Sequence, residues 1–343
     1  MTMRRPSNIF RARMSSGLLR PLLVALSLLI LSGCSPGAQA DPLKPPLTDA
    51  GNIQLPNEAG RPAFDLLTLD SRNGHLYIPH TSVSTLEVID VKTRKLLGRV
   101  PDVGVIKAIA LSKNPNLLFT SDAAGSVGVI DVSGLRLTKK LDVGGGPDAI
   151  EYDPVHDIVL VGLGADKKVA FIDATTMTLL GTMPLPGSPE LMTIDQKSGI
   201  VYLAIHDLNE VVEIDQVNRS IVKTLKGCDI KAPTGLAYDP DQGLLFVASS
   251  GTLSVIDVVI EQCRGAIDIG HGTDQIAFNR HRHHVYTADG GSRYVSVIDT
   301  VSLKPLGVFG TGPEAGTLAV DPTTDMVYVM VARAGIIGVY HDP

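Results

Sequence analysis

From residue 65 onward the chain is a succession of short apolar runs separated by turns, and none is long enough for a helix. One kind of run alternates small and large side chains, as in Ala108-Ile109-Ala110-Leu111 and Gly235-Leu236-Ala237-Tyr238. A turn follows, often Asp-Pro (Asp153-Pro154, Asp239-Pro240, Asp321-Pro322), where proline presets φ for a type I turn. A second run comes next (Leu76-Tyr77-Ile78, Val201-Tyr202-Leu203), then a Gly/Ser/Asn-rich loop, a third run ending in Ile-Asp, and a fourth such as Lys95-Leu96-Leu97-Gly98. Short apolar runs of period two, with turn signals every 8–12 residues, predict four-stranded β-meanders.

The Ile-Asp pair recurs at Ile89-Asp90, Ile130-Asp131, Ile172-Asp173, Ile214-Asp215, Ile256-Asp257 and Ile298-Asp299, in steps of 41 residues once and 42 residues four times. A period in this range means one unit copied along the chain. First strands begin near Asp65, Lys107, Asp148, Glu190, Thr234, Asp274 and Gly316, which makes seven units. The seventh stops at Tyr340-His341-Asp342-Pro343 without a fourth strand, and Gly51-Asn52-Ile53-Gln54-Leu55-Pro56 supplies a candidate for it. The expected fold is therefore an all-β, seven-bladed β-propeller over residues 51–343, closed by an N-terminal strand that completes the last blade and hides the sheet edges.

Over this whole stretch the chain resembles the YVTN-repeat β-propellers. The family word falls on the second strand, here Tyr77-Ile78-Pro79-His80, Tyr202-Leu203-Ala204-Ile205, Tyr286-Thr287-Ala288-Asp289 and Tyr328-Val329-Met330-Val331. No copy keeps all four letters, so the resemblance rests on the period and the Ile-Asp ending. WD40 and quinoprotein-alcohol-dehydrogenase repeats fit worse, because both lean on tryptophan and the chain has none. The resemblance implies ligand or partner binding in the cell envelope, and in some members a role as an enzyme subunit.

Residues 1–40 lie outside the repeat. Arg11, Arg13 and Arg20 precede the apolar run Leu22 to Leu31, which is too short to span a bilayer and reads as an export signal. It ends in Leu31-Ser32-Gly33-Cys34, which resembles the lipoprotein box whose cysteine is lipidated. The resulting division is a signal peptide at 1–33, the lipidated Cys34 and a Pro-rich tether at 34–50, and the propeller at 51–343. The alternative is cleavage after Ala38-Gln39-Ala40. By the same resemblance Ser35 favours the outer membrane, facing the periplasm. The net charge of −6 shows no basic footprint for nucleic acid.

The chemistry is less specific. The repeated Asp residues read as turn caps, since every blade carries one. Fourth-to-first and second-to-third loops share one face of a propeller, the usual place for a ligand funnel. The residue ahead of each inner strand is acidic in four blades, Asp65, Asp148, Glu190 and Asp274, with Lys107 in a fifth. The same face is expected to receive His80, Asp122, His206, Asp289, Arg293 and Arg333, with His80 opposite His206. Glu151 replaces the alanine or threonine that other blades put beside the channel. Such a funnel would bind a cation, an amine-bearing ligand or a basic peptide; the opposing reading is a solvated rim. Arg280-His281-Arg282-His283-His284 falls in a turn on the other face and reads as solvated. Cys228 and Cys263 are expected at opposite ends of neighbouring strands, as buried free thiols. No P-loop, dinucleotide fingerprint, nucleophile elbow or zincin motif occurs.

Three functions fit this pattern. The leading one is a non-catalytic envelope lipoprotein, held at the membrane by Cys34, whose propeller binds a small ligand or partner protein. The others are a metal-assisted hydrolase or lactonase, and a docking subunit of a periplasmic quinoprotein-type dehydrogenase. The sequence names no cofactor, metal or catalytic residue.

Overall fold

The computed structural model describes residues 45–56 and 61–343 of the chain. The signal, Cys34 and most of the tether lie outside the described residues. The rest forms seven sheets of four antiparallel strands arranged as the blades of a propeller. Blades one to six follow the chain, at residues 68–100, 106–142, 147–184, 189–226, 236–268 and 273–310. The seventh combines residues 317–341 with the N-terminal strand Thr48–Gln54.

That strand pairs antiparallel with Ile336–His341, with Ile53 opposite Ile337, and Leu55 N–H adds a bond of 3.1 Å to the Gly335 carbonyl. It begins at Thr48, so its first residues fall within the stretch read as tether. Leu47 and Ile53 are buried, which ties this segment into the propeller core.

The core lies between blades. Phe119, Val127 and Val129 of blade two pack with Ile150, Tyr152, Val159 and Val161 of blade three, and similar clusters recur around the ring. Second strands are therefore almost wholly buried, as in Ile158–Leu163 and Leu244–Ser249, whereas outer strands are mostly exposed. The small residues Ala108, Ala110, Ala149, Ala237 and Ala319 let the inner strands crowd toward the axis without clashing.

In blades one to six a bulge precedes Ile-Asp, as at Val88/Ile89 and Val297/Ile298. A bulge adds right-handed twist, which a radial blade needs. The following Asp caps the turn: Asp90 accepts from Thr93 N–H at 2.6 Å, Asp173 from Thr176 N–H at 2.7 Å and Asp215 from Asn218 N–H at 2.9 Å. These backbone bonds hold the three carboxyls below the usual range. The beat is scaffold, as its regularity suggests.

The cysteines correct an expectation. Cys228 and Cys263 form a disulfide, with Cα atoms 5.3 Å apart. Gly227 and Cys228 take positive φ and turn the linker down beside the next blade, so the Cys228 Sγ lies 3.3 Å from the carbonyl oxygens of Val255 and Gly265. Cys263 sits beside the bulge at Val255/Ile256. The expectation of free thiols assumed a linker that stays at the rim.

Candidate functional site

The N-terminal ends of the inner strands surround the funnel mouth. Lys107 is its electrostatic centre, with Nζ 2.7 Å from Asp65 Oδ2 and 3.8 Å from Asp148 Oδ1. Burial alone would lower its pKa, but Asp65, Asp148 and Asp274 together hold it above the ordinary lysine value. One ammonium thus serves three carboxylates. The excess negative charge falls on the acids. Burial pushes the Asp65 carboxyl up despite Lys107, with Asp148 adding repulsion. Burial also raises Glu190, aided by Asp148 and Asp274 and opposed by His206. Asp274 is open to the funnel yet crowded by its walls; burial first, then Asp65 and Asp148, push it up to about 6. The acidic ring read from the sequence does converge on one electrostatic unit.

Other candidates separate from it. His80 is fully buried, its Nδ1 3.1 Å from Glu87 Oε1, while Arg99 donates to Glu87 at 2.9 Å. It does not face His206 across the funnel. His80 is the last residue of its second strand, His75–His80, whereas His206 is the first residue after Val201–Ile205. One residue of offset reverses a side chain's direction at strand ends. His206 is part-exposed near Glu190, with Nδ1 3.3 Å from the Pro233 carbonyl. Asp122 and Asp289 are also strand-end residues turned inward. Asp289 accepts from Thr273 Oγ1 at 2.6 Å and from Ser296 Oγ at 2.5 Å. Arg333 lies exposed in the 3-10 turn Ala332–Ala334 and pairs with none of the ring carboxylates.

Glu151 sits lower, in a channel of about 440 Å³ lined by all seven inner strands. Burial pushes its carboxyl up to about 7, only partly offset by the Tyr152 N–H. Sequence reasoning missed Gln275 in the same channel. Its amide donates to the Leu67 carbonyl at 3.0 Å and accepts from Leu318 N–H at 3.1 Å, tying blades six, seven and one together.

On the opposite face the histidines of the turn do not share a carboxylate. His281 lies 3.0 Å from Asp325 and His284 2.6 Å from Asp342, and Arg280 pairs with Asp241. The turn is less solvated than expected, because His284 is largely buried against Asp342 and Tyr286. Among the described residues no three His, Cys, Asp or Glu side chains gather into a group that could hold a metal ion.

No protein-family model matches the chain. U3 small nucleolar RNA-associated protein 21 of Saccharomyces cerevisiae is 27% identical over 180 residues, 52% of this chain. The match spans 19% of that protein's length. The structure titled Kuenenia stuttgartiensis Hydrazine Synthase superposes with a TM-score of 0.74 over 82% of this chain and 96% of that chain. At 15% identity this likeness shows the shared propeller fold and nothing finer.

Proposed function

We propose that this chain is an exported envelope lipoprotein of the YVTN-repeat type, whose funnel mouth is a non-catalytic binding site for positively charged ligands. The observation that carries the binding is the single Lys107 shared by Asp65, Asp148 and Asp274, with Glu190 beside them. A ring with more carboxylates than cations, in a walled funnel of reduced dielectric, favours a cation that restores the balance. A hydrolase built on the same carboxylates would need a metal shell of several converging oxygens, and the described residues gather no such group. Binding is therefore the better reading.

The test is a calorimetric titration of the purified chain with spermine. The combined variant Asp148→Asn, Glu190→Gln, Asp274→Asn is expected to weaken binding about tenfold or more, since each charge-assisted hydrogen bond contributes about 1.5–3 kcal/mol. Affinity should also fall as pH drops from 8 to 5, because Asp274, at about 6, loses its charge across that window. An unchanged isotherm in the variant refutes the mouth as the site.

Export and anchoring rest on the Arg-flanked apolar run, the Leu31-Ser32-Gly33-Cys34 box and the Cys228–Cys263 bridge, which an oxidising compartment permits. Cys34→Ala is expected to abolish lipid labelling and release the protein from membranes. Unchanged fractionation with membranes counts against the anchor.

A further inference from the structure

Six blades put a side chain at the funnel mouth: Asp65, Lys107, Asp148, Glu190, Thr234 and Asp274. Blade seven puts Gly316 there. Neither backbone nor packing demands glycine at this position. Gly316 has no positive φ, and an added Cβ would meet nothing nearer than the Asp274 Cβ at 3.9 Å, an ordinary contact. The ring of side chains therefore has one gap, and it lies beside Asp274.

The gap adjoins a cleft of about 530 Å³ between blades six, seven and one, a size typical of small-molecule sites. Phe64 and Met330 give it apolar surface, and Gly272 and Gly316 contribute bare backbone. Two polar groups in it make no hydrogen bond with a described residue, and Lys107 acts on Asp274 only through space. The Asp274 carboxylate makes no hydrogen bond or ion pair with any described residue. Thr317 is only 8% exposed and its Oγ1 has no partner, so a buried hydroxyl is left without the bond it would ordinarily make. The other acid of the cleft, Glu314, is already paired with Arg61.

The walls are braced. The Phe64 ring lies 4.4 Å from the His80 ring, and His80 is fixed by Glu87 and through it by Arg99. This gives the buried histidine a role that its distance from the funnel would otherwise leave unexplained.

A single carboxylate open to the cleft does not suit a divalent cation, which takes six or more oxygens. A second carboxylate in the lining disfavours an anion. We propose that this cleft binds a small primary amine with an apolar body, its ammonium donating to Asp274 while the body lies in the Gly316 gap against Phe64. The assignment rests on the reading of the mouth as a cation site and specifies where one class of cation sits.

The experiment titrates the purified chain with phenethylamine, its uncharged analogue 2-phenylethanol, and spermine. Expected is saturable phenethylamine binding, none for 2-phenylethanol, and a loss of about tenfold or more in both Asp274→Asn and Gly316→Leu, a loss worth about 1.4 kcal/mol per tenfold step. Thermal melts confirm that the variants fold, and Gly316→Ser replaces the leucine variant if that one does not. Phenethylamine binding that survives occupation of the Gly316 gap overturns the cleft assignment but leaves the mouth reading intact. The same holds if spermine binds and phenethylamine does not. If neither amine binds, both readings fall.

Discussion

A chain beginning at Leu55 is expected to lose the closed ring of its propeller. Without Thr48–Gln54, the last strand Ile336–His341 becomes an open edge whose unpaired N–H and C=O groups template association with other chains. The loss also strips Leu47 and Ile53 from the core, each contributing about 1.5–3 kcal/mol of burial. Gel filtration should show aggregates or higher oligomers, and thermal melts a broad early transition. The milder Ile53→Ala, which leaves the ladder intact, is expected to cost about 2–5 kcal/mol, as for other buried isoleucines. A monomer that melts like the intact chain would mean that the ring does not depend on its N-terminal strand.

This closure is legible in the sequence, and the reason is physical. A repeat of 41–42 residues with a missing fourth strand at one end and a spare strand at the other has few arrangements that leave no edge. The inner-strand positions follow directly from that register, which puts Asp65, Asp148, Glu190 and Asp274 on one rim. What the pattern could not resolve was direction within a single residue. His80 and His206 fall at nearly equivalent places in two blades, yet one is buried on Glu87 and the other part-exposed near Glu190, because a strand end one residue earlier reverses the side chain. Linker paths were equally hidden. Nothing in the spacing of Cys228 and Cys263 shows that two positive-φ residues turn the chain down between blades. Cross-blade bonds such as that of Gln275 to Leu67 and Leu318 depend on ring curvature, which no single blade encodes.

Glu151→Gln is expected to stabilise the protein at pH 8. Asp274 and Glu151 both carry raised carboxyl pKa values, but Asp274 opens to the funnel and water screens it, whereas Glu151 is only part-exposed, lower in the channel, with one backbone N–H as its hydrogen-bond partner. Its pKa moves from 4.5 to about 7 on folding. Because the folded value is the higher one, the unfolded chain gives up this proton more readily. The group imposes no penalty below about pH 4.5, accrues one as pH rises toward 7, and carries the whole of it above that. At 1.36 kcal/mol per unit the full penalty is up to about 3 kcal/mol. Glutamine keeps the shape and polarity of the protonated acid without the charge, so its advantage should be greatest in alkaline solution and vanish in acid. Denaturant unfolding of the two proteins between pH 4 and 8.5 measures this directly. Curves that stay parallel across that range would show that Glu151 is hydrated well enough to ionise without cost, and that water reaches it along the channel.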